Sequence, residues 1–451
     1  MDIILHNTSS GNRETFVPIR EDDVRVYYCG PTVYDAIHIG NLRAFLTADI
    51  LVRVLRSRYE KVTFVRNITD IDDKIMQRAH ENRESIYSLT RRTTAFFHDD
   101  IDSMGLIRPD VEPLATDQVP DMVKVVETLI HRGHAYVVSG PDGKTVYFDT
   151  SSYPEHGKLS GRETMVGQTH ILGNQKRNTE DFVLFKPSLQ HQVGWTTPWG
   201  LARPGWHTEC VAMSQRYLGS HFDIHGGGQD LLFPHHENEN AQASCLMDHD
   251  HNHHGQMANY WVHNSMLLID GKKMSKSEGN FLTIKEVLDK AHPEVIKMFL
   301  MSANYRSPLN FTWSGLDLMR RHMDRFYTAI KDVDNSDAVM PESALAHLYN
   351  DMDTPALIAM MHDLSNQAFL GDRQASHDLY AIGRFVGLFT EKNWFQNTDL
   401  ETDYIEEQIA IRKTLKDNRE WEKADKIRDN LRARGIILED TKDGTKWKTE
   451  S

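Results

Sequence analysis

The apolar and polar positions fall into an α/β rhythm near the start of the chain. Residues 24–28 (Val-Arg-Val-Tyr-Tyr) form a short apolar run that reads as a buried strand, followed by a loop of small and turn-forming residues, CGPTVYDAIHIGN. From about Leu42 to Leu55 the apolar residues recur at helical spacing, with Phe45, Ile50, Leu51 and Leu55 on or near one face. A second strand is expected at Val62–Val65, and strand–loop–helix–strand predicts a parallel sheet. Polar helices fill about 76–135, and His134–Phe148 reads as a hairpin turning at Pro-Asp-Gly. Between about 120 and 200 helix and strand do not alternate, so this stretch reads as an insertion into the sheet.

The α/β pattern resumes near Pro204, with a helix over 208–218 and a strand at His221–His225 leading into a turn, Gly226-Gly227-Gly228-Gln229-Asp230. After Lys276 the pattern is largely helical to about 395, and the polar stretch 390–403 reads as a linker. Two helices, about 404–417 and 419–434, follow. In the second, Trp421, Ala424, Ile427 and Leu431 recur at helical spacing, and Gly435 stands where a C-cap belongs. Asp443-Gly444 between two short runs predicts a terminal hairpin.

Composition adds bounds. At about 100–200 residues per domain, 451 residues make about three domains. Three cysteines cannot staple a secreted framework, which points to a reducing, cytoplasmic setting. The start has no basic region followed by an apolar core, and no run approaches the roughly 18 apolar residues that span a bilayer. Lys plus Arg number 51 against 65 Asp plus Glu, a net −14, which as an average argues against a surface built for nucleic acid. The average hides a reversal. Ile411–Ser451 holds 12 Lys or Arg against 9 acids, a net +3, and the other 410 residues hold 39 against 56, a net −17.

Two motifs carry nucleotide chemistry. His38-Ile-Gly40-Asn41 lies between a strand and a helix start, where free N–H groups and the helix dipole favour anions. Gly40 lets backbone approach a ligand, and His38 can donate to phosphate oxygens. KKMSKSEGN (Lys272–Asn280) places Lys273 and Lys276 on a serine-containing loop that can clamp a polyphosphate. Each string alone also fits a surface turn. Together, in this order and some 235 residues apart, they resemble the HIGH and KMSKS motifs of class I aminoacyl-tRNA synthetases. The resemblance implies a Rossmann-like catalytic domain and attack of an amino-acid carboxylate on ATP. His38, Lys273 and Lys276 would act on the phosphates, through placement and charge rather than a protein nucleophile. It assigns ATP, with Mg2+, to Gly30, Thr32, His38, Gly40, Asn41, Gly227, Asp230, Lys273, Ser275 and Lys276. Asn41 departs from the family's histidine, which puts any cationic role there in doubt.

Cys29, Cys210 and the run PHHENEN (234–240) suggest a metal. His235 and Glu239 are four apart and share a face on a helix. Sulfur, nitrogen and oxygen donors in tetrahedral number suit zinc. Spacing alone leaves a buried structural Cys and an ordinary His–Glu pair equally open, and His207, His225 and His236 compete as ligands. Cys245 reads as a core thiol and the His-rich tract 248–256 as a solvated loop. YYCGPTVYDAIHIGN, RNITDIDDK, PGWHTEC and HFDIHGGGQDLLFPHHENE together resemble the cysteinyl-tRNA synthetase family over nearly the whole chain. That resemblance maps one Zn2+ onto Cys29, Cys210, His235 and Glu239, and the bound cysteine onto Thr69 and Trp206. It implies L-cysteine, ATP and tRNA(Cys) as partners, a monomer, and no membrane contact.

The resemblance also divides the chain: a catalytic domain at 1–120 and 204–265, a connective insertion at 121–203, a KMSKS-loop region at 266–310, a helical bundle at 311–400, and an anticodon-binding α+β domain at 401–451. In the last, Arg412, Arg419, Trp421, Arg428 and Trp447 are the expected tRNA contacts, the tryptophans by stacking. By composition alone, a solvated helix pair with Trp421 in its core is the plainer reading. Two rivals stand beside the tRNA ligase. One is a ligase joining cysteine to an amino sugar, which needs no anticodon reader. The other is a non-catalytic RNA-binding or zinc-storage relative, which has no chemical reason to keep both motifs and all four donors.

Overall fold

The computed structural model describes residues 1–162, 176–189, 192–247, 255–274, 279–333, 338–392, 394–395, 399–417, 420–433, 436–441 and 444–449. They divide into two compact units, Met1–Phe389 and Thr390–Ser451.

The first unit begins with an antiparallel hairpin, β1 (Ile4–Asn7) and β2 (Asn12–Thr15), too short for its alternation to stand out in sequence. β3 (Val24–Tyr28), α1 (Ile39–Arg56) and β4 (Val62–Arg66) form the expected parallel crossover, with Val24 opposite Val62. α1 is apolar on more than one face: Leu46, Val52 and Val54 are buried as well as Phe45, Ile50, Leu51 and Leu55. It needs this because the helix packs against the sheet and against helices further along the chain. Each fully buried aliphatic side chain of this kind stabilises the fold by roughly 1.5–3 kcal/mol.

The polar helices α2 (Asp73–Asn82) and α3 (Ile86–Ser103) and the amphipathic α4 (Val119–His131), which buries Val119, Met122, Val125, Val126 and Leu129, follow. The insertion is a five-stranded antiparallel sheet. It comprises β5 (Ala135–Gly140), β6 (Gly143–Phe148), β7 (Phe182–Pro187), β8 (Trp195–Thr197) and β9 (Gly200–Pro204), in the order β5-β6-β7-β9-β8. Then come α5 (Trp206–Leu218), β10 (Phe222–Gly228), the single turn α6 (Gln229–Leu231), α7 (Glu237–Leu246) and β11 (Ala258–Asn264). The main sheet is wholly parallel, β11-β10-β3-β4.

Two details depart from the pattern. Gly226–Gly228 are strand, not turn, and pair with β11 from Val262 to Asn264. Glycine is required because a Cβ on Gly226 would fall 2.1 Å from the Tyr28 ring, and one on Gly227 2.8 Å from the His236 ring. β11, Ala-Asn-Tyr-Trp-Val-His-Asn, is buried except at Asn259, its polar residues concealing a buried edge strand.

β12 (Leu267–Ile269), β13 (Lys272–Lys273) and, after α8 (Ile284–Leu288) and α9 (Pro293–Met301), β14 (Leu309–Phe311) make a small sheet, β13-β12-β14. β14 interrupts the stretch expected to be largely helical. α10 (Trp313–Ala329), α11 (Glu342–Tyr349), α12 (Thr354–Phe369) and α13 (Arg373–Phe385) complete the unit.

The second unit is α14 (Asp399–Asp417), α15 (Trp421–Ala433) and the hairpin β15 (Ile436–Thr441) and β16 (Gly444–Thr449), the expected helix–helix–hairpin. Ile405, Leu431 and Ile436 form its core, with Ile427 and Trp447 against them. Gly435 and the first residue of the Asp443-Gly444 pair lie outside the described residues.

Candidate active site and metal centre

The first motif is the N-terminus of α1. His38 is the N-cap: its Nδ1 accepts from the Asn41 backbone N–H (3.2 Å), and Asn41 Oδ1 accepts from the His38 N–H (3.2 Å). This reciprocal capping box gives Asn41 a physical task that needs no charge. The chain returning from the lysine loop runs alongside. Ile39 N–H donates to the Leu282 carbonyl (3.1 Å) and Ile284 N–H to that of Ile37 (3.2 Å), with His38 bridged to Thr283. The His38 ring meets Phe281 edge-on at 5.1 Å. Backbone hydrogen bonds therefore join the first motif to the segment that directly follows the second.

They border one cleft of about 390 Å³, whose lining includes Cys29, Gly30, Thr32, His38, Gly40, Asn41, Trp206, Asp230 and Lys273. That volume suits a small ligand. Gly227 and Thr69 stand outside the lining. Ser275 and Lys276 lie outside the described residues, as does the tract 248–254.

Beside the cleft, four buried donors converge: Cys29 from the end of β3, Cys210 from α5, His235 from the irregular turn before α7, and Glu239 from α7. Cys29 Sγ and Cys210 Sγ are 3.7 Å apart, Cys210 Sγ and His235 Nε2 3.6 Å, and Cys29 Sγ and Glu239 Oε1 3.7 Å. Bonds of about 2.3 Å to sulfur and about 2.0–2.1 Å to nitrogen give tetrahedral edges of about 3.8 Å for S···S and about 3.6 Å for S···N. Those three edges fit an ion. His235 Nε2 and Glu239 Oε1, at 2.7 Å, are closer than an edge and share a hydrogen bond.

A second tetrad, Cys29, His225, His236 and Glu239, overlaps the first. Its histidines are already engaged as braces: His225 Nε2 lies 2.7 Å from Glu239 Oε2 and His236 Nε2 lies 3.3 Å from Cys29 Sγ. His236 Nδ1 meets His263 Nε2 at 2.8 Å, and His263 Nδ1 meets Thr8 Oγ1 at 2.9 Å. Such outer partners orient metal ligands and set their basicity.

Burial shapes the charges. It drives the Cys29 thiol well up, whereas the hydrogen bond from Cys29 brings Cys210 down to about 6. Burial alone would lower His235, but the Glu239 carboxylate and then Cys210 reverse this and hold it up at about 10. Burial raises Glu239, and His235 and His225 more than offset it, so its carboxyl sits well below the usual range. His207 and His263 are pushed down to about 3 by burial and stay neutral. A thiolate and a carboxylate thus face each other with a proton between them, the place a cation can take.

The Trp206 ring stacks on His235, centroids 4.0 Å apart at 15°. Thr69 is buried under the site, its Oγ1 donating to Glu209 Oε2 (3.2 Å) and accepting from Asn67 Nδ2 (3.1 Å). Asn67 Oδ1 accepts from the Gly30 N–H (2.9 Å). Asn67, Glu209 and His263 escape sequence reading because their partners come from other elements. Glu209 and Asn67 do sit inside the quoted segments PGWHTEC and RNITDIDDK.

In the second unit Trp421 is 58% exposed, so it is not the core residue that helical spacing suggested. Arg412 is 3% exposed, its fork held by Asp440 at 2.8 and 3.0 Å. That guanidinium fastens α14 to the hairpin and does not face outward, contrary to its expected use. Arg428 is half-exposed beside Asp425 and Asp429, Trp447 is partly buried, and Arg419 lies outside the described residues. Counted from Thr390, the unit holds 13 Lys or Arg against 15 Asp or Glu. The basic excess therefore belongs to its last 41 residues alone.

Residues 15–321 match the family model for tRNA synthetases class I (C) catalytic domain. The chain is 46% identical over 450 residues to a cysteine–tRNA ligase of Gluconobacter oxydans, covering 98% of this chain and 97% of that one. It is 44% identical over 455 residues to a cysteine–tRNA ligase of Granulibacter bethesdensis, covering 99% and 96%. Among solved structures, Mycobacterium tuberculosis methionyl-tRNA synthetase bound by methionyl-adenylate superposes with a TM-score of 0.58 at 15% identity, covering 81% of this chain and 90% of that one. At that identity the likeness is one of fold.

Proposed function

The chain belongs to the cysteine–tRNA ligase family of class I tRNA synthetases, and from that premise we propose that it activates L-cysteine with ATP and passes it to the 3′ end of tRNA(Cys). A carboxylate oxygen of cysteine bonds to the α-phosphorus, and the bond to the bridging oxygen breaks as pyrophosphate leaves. A terminal ribose hydroxyl then attacks the carbonyl carbon and AMP departs.

The chain's own groups do the placing. ATP, with Mg2+, lies against the α1 N-terminus, where His38, fixed by its capping box, faces the phosphates. Lys273, with Lys276, offsets charge as pyrophosphate forms. Asp230 is positioned as an acceptor for ribose hydroxyls. Trp206 and the layer formed by Thr69, Asn67 and Glu209 shape the pocket for the amino acid.

Cys29, Cys210, His235 and Glu239 would hold one Zn2+, their soft and borderline donors matching that ion. When bound, the metal supplies a coordination position that takes a thiolate in preference to serine's hydroxyl. Shape alone separates such near-isosteres by only about 1–3 kcal/mol. The observation that carries the proposal is this tetrahedral donor set beside the cleft that joins both nucleotide motifs. The second unit is the proposed reader of the anticodon. Its match within full-length tRNA ligases speaks against the amino-sugar reading. No helix among the described residues is long and apolar enough to cross a membrane. All three cysteines are unpaired and buried, which suits a reducing compartment.

Cysteine-dependent exchange of pyrophosphate into ATP by zinc-loaded protein tests the reading. We expect exchange with cysteine and essentially none with serine; no exchange with cysteine would overturn it.

A further inference from the structure

Arg43 follows the first motif by two residues on α1 and is 2% exposed. Its Nη1 donates to the carbonyls of Ser265 (3.0 Å) and Met266 (2.9 Å), and its Nη2 to those of Asn304 (3.1 Å) and Ser307 (2.5 Å). All four terminal N–H groups are thereby spent on main chain. No carboxylate pairs with Arg43 among the described residues. Its Nε, also buried, has no partner among the described residues, and a buried cation held by carbonyls alone is a costly arrangement, so what those carbonyls belong to matters.

Ser265 and Met266 lead from β11 into β12, and Asn304 to Ser307 lead from α9 into β14. The two strands pair from Leu267 opposite Leu309, and β12 also carries β13 with Lys272 and Lys273. The Ser265 N–H donates to the Tyr305 carbonyl (2.8 Å), closing the base of the small sheet around the guanidinium. Downstream of the lysine loop the chain is pinned at His38 by the Thr283 bridge. Arg43 is thus the side chain that ties the upstream end of the loop to the helix beginning at His38.

We propose that Arg43 is a positioning residue for the activation step, riveting the lysine-bearing sheet to α1 and so setting the placement of Lys273 against His38 across the cleft. The proposal rests on the reading of that cleft as the site of cysteine activation. The metal-side residues Cys29, Cys210, His235 and Glu239 stand at the end of β3, on α5, just before α7 and on α7, and none of Arg43's hydrogen bonds among the described residues reaches these elements. Loosening the rivet should therefore slow the chemistry and leave cysteine capture intact. Lysine cannot substitute, because three N–H groups on one nitrogen cannot serve four carbonyls from two segments.

The test compares full-length wild type with Arg43→Lys and Asn304→Gly in pyrophosphate exchange, with metal content measured alongside. Asn304 is half-buried, and its Oδ1 accepts from the Arg306 N–H (2.9 Å), shaping the turn that presents two of the four carbonyls. We expect R43K to lower kcat at least tenfold while KM for cysteine and metal content stay within twofold, and N304G to lower kcat several-fold in the same manner. Wild-type kcat in R43K overturns the proposal. So does parallel loss of kcat, cysteine KM and metal in both variants, which would make Arg43 a general folding residue. If R43K does not fold, N304G decides, an unchanged kcat counting against the proposal. Absence of exchange in the wild type would instead sink the functional reading.

Discussion

Gly30 offers a severe test of the site geometry. A methyl group there would fall 1.6 Å from the Asn67 backbone oxygen and 2.7 Å from its carbonyl carbon. Ordinary contact begins at 3.4 Å, so Asn67 would have to retreat by about 1.8 Å. It cannot do so cheaply: Asn67 Oδ1 holds the Gly30 N–H, and two residues on the Thr69 N–H donates to the Pro31 carbonyl at 3.0 Å. Overpacking that side chains can absorb costs about 1–3 kcal/mol, and with backbone as the obstacle we place Gly30→Ala at the upper end. The same shift moves Cys29 relative to Cys210, and a separate loss of about 3 kcal/mol in transition-state stabilisation there would lower kcat/KM for cysteine on the order of 100-fold. Pyrophosphate exchange and denaturant unfolding read the two effects. Gly140→Ala, on β5 and outside the cleft lining, is the matched control, because the nearest atom to its Cβ is the Gly143 carbonyl oxygen at 3.5 Å, an ordinary contact. If G30A kept kcat/KM within threefold of wild type and unfolded at the same denaturant concentration, the packing argument would be refuted.

Other expectations follow from the same contacts. Cys210→Ser should lose bound zinc and cysteine-dependent exchange together, and unchanged zinc by elemental analysis would remove Cys210 from the ligand set. Asn41→Ala breaks the capping box and should cost about 1 kcal/mol in denaturant unfolding, whereas an unaltered midpoint would deny the cap any energetic weight. Removing Thr390–Ser451 should spare exchange and cripple tRNA charging, so charging that survives would disprove the anticodon-reader assignment. Lys297, buried and held by the Gly387 carbonyl at 2.6 Å, has its ammonium pushed down to about 8 by burial. A lowered folded pKa means the unfolded chain binds more protons between about pH 8 and 10.5, so stability rises with pH across that window. Lys297→Met should flatten the rise relative to wild type, and parallel unfolding profiles would refute it.

Contiguous chemistry was legible in sequence. HIGN, KMSKS and PHHENEN each place their reactive groups within a few residues, so type and spacing mark them as candidates before any fold is known. The parallel crossover was legible because apolar runs at strand and helix periods alternate from Val24 to Val65. α7 shows where pattern fails. Every residue from Glu237 to Cys245 is buried, yet most are polar, because their partners lie on other elements. Glu237 accepts from the N–H groups of Gly157 and Ser160, and Asn240 from that of Met257. Periodicity reports burial only when burial is apolar.

The sequence by itself determined the two nucleotide motifs, the family resemblance they carry and the first parallel crossover, since each depends on residues close together in the chain; it offered Cys29, Cys210, His235 and Glu239 as metal donors only through that resemblance. The tertiary structure alone decided that Asn41 is a cap, that Arg412 is fastened inside its unit while Trp421 is exposed, that three glycines are strand, and that Arg43 sits under the lysine-bearing sheet. For Arg412, the three glycines and Arg43 the deciding partner lies on another segment: a carboxylate, an aromatic ring or backbone carbonyls. Main-chain carbonyls look alike in every sequence, and only folding brings a particular four of them around one guanidinium.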